Sequence, residues 1–93
     1  MFYIYILECS DGSFYTGHTE ELETRLAQHH QAYFRECYTA KRLPLKLVYQ
    51  ETFSSREQAL TVEMQIKGWS RRKKQALINN DWHEISRLSK STK

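Results

Sequence analysis

Apolar and polar positions change period several times along the chain, and each change marks an element. Residues 2–7, Phe-Tyr-Ile-Tyr-Ile-Leu, are aromatic and β-branched without a polar break, the pattern of a buried strand. Asp11-Gly12 is a turn dipeptide, and residues 13–17, Ser-Phe-Tyr-Thr-Gly, return as a second strand. Together they predict an N-terminal β-hairpin. Thr19 is placed to cap a helix with Glu20 and Glu21 in its first turn, where the helix dipole favours anions. Over that helix, to about residue 31, Leu22, Arg25, Leu26 and His29 share one stripe. Residues 33–44 show no clean period and read as a loop, while the alternation over residues 45–49 predicts a third strand.

The second half reads as helical. Ser54 with Glu57, or Ser55 with Gln58, forms a capping box, and Ala59, Val62, Glu63 and Ile66 make the inward stripe of the helix it opens. Gly68 ends that helix. Ser70 caps a third helix running to about residue 78. Asp81 with Glu84 is a capping box for a short last helix carrying Trp82, Ile85 and Leu88. There is no internal repeat or low-complexity tract. The order predicts an α+β fold, a small three-stranded, mainly antiparallel sheet (the hairpin plus one later strand) flanked by about four helices. One domain is expected over residues 1–86, with residues 87–93 a polar, frayed tail.

Composition narrows the class. Ninety-three residues support one core and not two. An apolar fraction of 40%, with six Tyr, four Phe and two Trp, excludes a disordered chain. The longest apolar run, residues 2–7, is far short of the ~20 residues of a membrane span. It also lacks the basic lead-in and cleavage site of a signal peptide, so a soluble, cytoplasmic protein is expected. Cys9 and Cys37 are too few for a disulfide scaffold and too far apart for a zinc knuckle, and read as reduced thiols. A formal charge of +3 points to an acidic partner mainly through its distribution. Arg71, Arg72, Lys73 and Lys74 form one block, and Lys41 and Arg42 a smaller one.

Several residues sit where the pattern does not want them. Arg25 lies on an apolar stripe, and its guanidinium cannot shed its charge. Either it holds an anion, for which its fork suits carboxylate or phosphate, or its stem packs while the head reaches water or Glu21. Glu63 poses the same question with opposite sign. It could bind a divalent cation through oxygen or form an ion pair with Arg25. Tyr3 and Tyr5 share one face of the first strand, and each tyrosine taken singly is explained by rim packing. Cations at residues 71–74 crowd the first turn of a helix, where the dipole repels them, which argues for an external anion against a merely solvated face. His18, His29, His30 and His83 show no metal-binding spacing, and His29 alone falls with the inward stripe.

Tyr3-Ile4-Tyr5 and, after nine intervening residues, Tyr15-Thr16-Gly17 resemble the paired strand motifs of the GIY-YIG nuclease superfamily. Arg25 and Glu63 fall where that family carries its helix arginine and its metal-binding glutamate. Gly68-Trp69-Ser70-Arg71 and Asp81-Trp82 are similar to the small stand-alone, single-domain branch, which resembles the N-terminal domain of excision-repair endonucleases. The likeness covers nearly the whole chain. Tyr3 stands in place of the first motif's glycine, Thr16 fills the middle of the second, and His18 follows where some members have lysine.

The resemblance implies a GIY-YIG endonuclease fold and a metal-dependent endonuclease that hydrolyses phosphodiester bonds in DNA or RNA, selective for structure or strand, in nucleic-acid processing or repair. Under it, Tyr5 is the general base and Tyr15 positions water or phosphate, with the two roles exchangeable. Arg25 holds a phosphate oxygen, His29 orients substrate or water, and His18 assists at the phosphate. Glu63 binds one magnesium or manganese ion. Free tyrosine titrates near ~10, so the base needs nearby positive charge. Lys41, Arg42, Arg71, Arg72, Lys73 and Lys74 are the nucleic-acid-binding candidates, for a monomer whose affinity a larger complex could supplement. The competing expectations are a nucleic-acid-binding module that does not cleave and an accessory that docks into a complex.

Overall fold

The strand with the longest apolar run occupies the middle of the sheet. In the computed structural model, which describes residues 1–31 and 38–90, β1 (Phe2–Glu8) lies between β2 (Phe14–Thr19) and β3 (Lys46–Phe53), both antiparallel to it. The helices are α1 (Leu22–His30), α2 (Arg56–Lys67), α3 (Arg71–Ile78) and α4 (Trp82–Lys90), with a 3₁₀ turn at Tyr38–Lys41. The fold is the expected α+β arrangement, with a wholly antiparallel sheet.

β1 is buried on both faces, which is why its sequence shows no polar alternation. On one face Ile4 and Ile6 pack with Ala59 and Ile66 of α2, Ala76 and Leu77 of α3 and Ile85 of α4. On the other, Tyr5 and Leu7 pack with Cys9 and Leu45, flanked by Tyr15, Leu22, Leu26 and Leu47. The sheet therefore carries α1 on one side and the other helices on the opposite side. Because side chains alternate along a strand, β2 serves both: Phe14 and His18 face α2, while Tyr15 faces α1.

Several local expectations hold with their predicted chemistry. Ser55 accepts from the Gln58 amide, Ser70 from Lys73 and Asp81 from Glu84, each opening its helix. Others need correcting. Thr19 accepts a hydrogen bond from the Glu21 amide, but it is the last residue of β2, and Glu21 is the N-cap of α1. β3 runs to Phe53, beyond the predicted end, because its polar stretch Gln50–Thr52 pairs with β1 at the sheet margin where no apolar pattern is required. The expected loop contains the 3₁₀ turn; its residues 33–37, including the Cys37 thiol, lie outside the described residues, whereas the Cys9 side chain is buried. Helix α4 continues through Arg87 to Lys90, where the tail was expected to begin. Trp82 does not join the buried stripe of α4. It is 58% exposed, with its indole N–H donated to Asn80 Oδ1 at 2.7 Å.

Two positions in β2 show how tightly this sheet is filled. Gly17 lies opposite Tyr5, and a Cβ there would stand 2.6 Å from Cζ of the Tyr5 ring. Thr16, buried on the other face, has a hydroxyl with no hydrogen-bond partner among the described residues. Replacing Gly17→Ala is expected to cost about 1–3 kcal/mol, since the ring must leave its place. Thr16→Val should instead raise stability by about 1 kcal/mol, because it removes an unsatisfied buried hydroxyl. Urea denaturation of both variants checks the pair of opposite signs.

Candidate active site

Tyr5 is fully buried, and a phenolic hydroxyl in that position needs an internal partner. It finds one in Nε2 of His29, 2.9 Å away on the last turn of α1. The other ring nitrogen, Nδ1, lies 2.9 Å from Oγ1 of Thr39, itself buried in the 3₁₀ turn. Tyr15 completes the cluster, its ring centroid 5.3 Å from that of His29 and 6.4 Å from that of Tyr5. Burial above all, and then the positive charges of Arg25 and His30, hold the His29 imidazole below its usual pKa of 6.5. At neutral pH it is uncharged, with one nitrogen donating and one accepting. The two tyrosines differ in access. Tyr5 is sealed and its hydroxyl engaged by His29, whereas Tyr15 is only half-buried. Of the two phenols left exchangeable by the sequence, Tyr15 is the more accessible.

Glu63, on α2, is buried to 6% exposure and faces the other side of the sheet. Its Oε1 lies 2.8 Å from His18 Nδ1 on β2, and its Oε2 lies 3.3 Å from Nζ of Lys67. The carboxylate is thus held by His18 and by a cation one helical turn along, and not by Arg25. Lys74 of α3 sits close by; burial first, and then the charge of Lys67, hold its ammonium below the ordinary lysine range.

These two groups belong to opposite faces of the sheet, and β2, which contributes to both, is an edge strand. His18 and Arg25 line a single cavity of about 430 Å³ beside the end of β2, together with Arg56 from the start of α2. Arg25 is the link between the two groups: it lines the cavity with His18, which holds Glu63, and its charge acts on His29, while neither tyrosine nor Glu63 lines the cavity.

The basic candidates lie elsewhere, and four of them make contacts within the protein. Arg42 pairs with Asp11 at 3.0 Å, at the tip of the hairpin. Arg71 donates to the Gly12 carbonyl and lies 4.6 Å from the centroid of the Phe14 ring. Arg72 reaches Glu84 at 3.6 Å, and Lys73 lies 4.3 Å from the centroid of the Trp69 indole. Arg71, Arg72 and Lys73 in the first turn of α3 are thus met by the protein's own carbonyl, carboxylate and aromatic groups. Lys41 is exposed.

Sequence reading missed Thr39, Arg56 and Lys67. Lys67 was legible as the i+4 partner of Glu63. Arg56, a cation in a first helical turn, carried the same oddity as residues 71–74. Thr39 gave no local signal, because its role depends on the distant His29.

Residues 1–76 match the family model of the GIY-YIG catalytic domain. The chain is 46% identical to the UPF0213 protein SSP2268 of Staphylococcus saprophyticus over 77 residues, 83% of this chain and 93% of that one. It is 38% identical to a UPF0213 protein of Streptococcus pneumoniae, covering 96% of this chain and 91% of the relative. Among solved structures, the UPF0213 protein BH0048 of Bacillus halodurans superposes with a TM-score of 0.56 at 42% identity, covering 85% of this chain and 84% of its own. The protein EF2693 of E. faecalis gives 0.59 at 34% identity, with 84% and 82% covered.

The depressed His29 pKa sets a pH dependence. As pH falls, the unfolded chain takes up the proton near 6.5 while the folded chain resists it. Stability is therefore full above that value and declines below it. Urea midpoints measured from about pH 7.5 to about pH 5 should fall more steeply for the wild type than for His29→Gln.

Proposed function

Because the chain belongs to the GIY-YIG catalytic-domain family, a family of nucleases, we propose that it is a metal-dependent endonuclease acting on DNA or RNA, selective for structure or strand. The observation that carries this reading is the buried carboxylate of Glu63, joined through His18 to the cavity that Arg25 also lines.

Phosphodiester hydrolysis needs an activated water, a stabiliser for the pentavalent charge, and help for the leaving oxygen. In this reading Tyr15, the half-buried tyrosine, accepts the proton of the attacking water, with the positive field of Arg25 favouring its phenolate. Tyr5 does not touch substrate. It holds His29 in place, and His29 orients the Tyr15 ring and the water beside it. Arg25 grips a non-bridging phosphate oxygen through its fork. His18 both steadies Glu63 and presents its imidazole to the phosphate.

Glu63 suits a magnesium or manganese ion that keeps most of its waters. It offers one carboxylate, whose oxygens each retain a lone pair beyond their contacts to His18 and Lys67, and among the described residues no cluster of three ligand-type side chains adds to it. Bound there, the ion would supply charge neutralisation for the leaving oxygen. No helix among the described residues is long and apolar enough to cross a membrane.

A second reading draws on the same carboxylate. Glu63 already has cationic company in Lys67, as a purely structural ion pair would, which favours a nucleic-acid-binding module without cleavage. Labelled single-stranded, duplex and branched DNA and RNA, incubated with magnesium or manganese, separate the two. Cleavage is expected, reduced about 100-fold or more by both Arg25→Ala and Glu63→Gln. Binding that persists with no cleavage of any substrate would establish the second reading, and cleavage unaffected by Glu63→Gln would remove the metal assignment.

A further inference from the structure

The cavity beside β2 is larger than one phosphate requires. About 430 Å³ lies within the range of small-molecule sites, and its lining combines three kinds of group. Phe2, half-buried at the start of β1, supplies an aromatic surface. Arg56 supplies a guanidinium, exposed and without a hydrogen bond or ion pair to any described residue. Glu20, Glu21 and Gln28 supply acceptors that a phosphate would not select but that a base's amino groups would.

Arg56 also stands in the first turn of α2, where the helix dipole disfavours it; Glu57 shares that turn, but no described group bonds Arg56 as Gly12 and Glu84 bond the arginines of α3. It lies seven residues before Glu63, about 10 Å along the helix. At that separation it cannot hold the same phosphate oxygen as an ion on Glu63. It can hold a neighbouring one.

We propose that this cavity is a nucleotide subsite, taking one unstacked nucleotide next to the phosphate gripped by Arg25. The base stacks on Phe2 with its amino edge toward Glu20, Glu21 and Gln28, and Arg56 binds the adjoining phosphate. The proposal rests on the nuclease reading and refines it: a base must leave its stack to enter, so the site selects single strands, or the unpaired positions of branched ones.

The test is fluorescence anisotropy with fluorescein-labelled single-stranded and duplex DNA of one sequence, in EDTA so that nothing is cleaved. The wild type should prefer the single strand by about tenfold, the weight of one stacked base. Phe2→Leu, which keeps the packing volume, and Arg56→Ala should each remove most of that preference, while Phe2→Tyr retains it. Circular dichroism shows whether each variant is folded. Equal wild-type affinity for the two forms, or losses that fall equally on both in the folded variants, would overturn the subsite and leave the nuclease reading standing. Failure to bind either form would also overturn the subsite, while the nuclease reading stands or falls on the cleavage assay with magnesium or manganese.

Discussion

The hydroxyl of Tyr5 has no route to water, and much of the molecule is arranged to satisfy it. Burying that group without a partner would cost on the order of 1–3 kcal/mol. His29 must therefore present Nε2 to it, and a buried imidazole must in turn satisfy its second nitrogen, which brings Thr39 into place. The ring itself needs space across the strand pair, and only the bare backbone of Gly17 leaves it. One residue of the central strand thereby fixes the last turn of α1, the 3₁₀ turn and the composition of β2. The core and the candidate site are the same object on this face of the sheet. Tyr15 is oriented by groups whose first duty is packing.

The opposite face poses an electrostatic version of the problem. A carboxylate as buried as Glu63 must be compensated, and His18 and Lys67 do so from a strand and from the next helical turn. Such a pair is neither clearly stabilising nor clearly catalytic on its own terms, since desolvation offsets much of the attraction. What distinguishes it is position. Its His18 side lines a cavity that Arg25 and Arg56 also line.

Local rules recovered the hairpin and the helix starts well, because their causes are local. Asp11-Gly12 turns the chain with an Asp11 carboxylate accepting from Ser13, and the serine and aspartate caps act within three residues. Arg25 and Glu63 could be singled out because a charge on an apolar stripe is an anomaly visible in one dimension. Their partners were not visible. Glu63 meets His18 across 45 positions of sequence, and Arg71 meets Gly12 across 59. Three cations of the block at residues 71–74 meet the hairpin tip, α4 and Trp69, contacts that a helix-dipole argument cannot see. Trp82 likewise fits the apolar spacing of α4, yet a hydrogen bond to Asn80 holds it outward. Access, which separates Tyr5 from Tyr15, is a property of the folded surface and has no sequence counterpart.

The hairpin turn has a consequence of its own. Tyr15 and His18 stand on opposite faces of β2 because their positions differ by an odd number, and the register with β1 decides which face each receives. A slip of one residue would turn the phenol toward the α2 side and the imidazole toward the α1 side, exchanging every cross-strand backbone partner for a neighbouring one. Asp11 bonding to Ser13, Arg42 bonding to Asp11 and Arg71 bonding to Gly12 pin the turn against that slip from three directions. Those contacts act as a parity lock: hairpin insertions can be tolerated only in lengths that return each side chain to its own side.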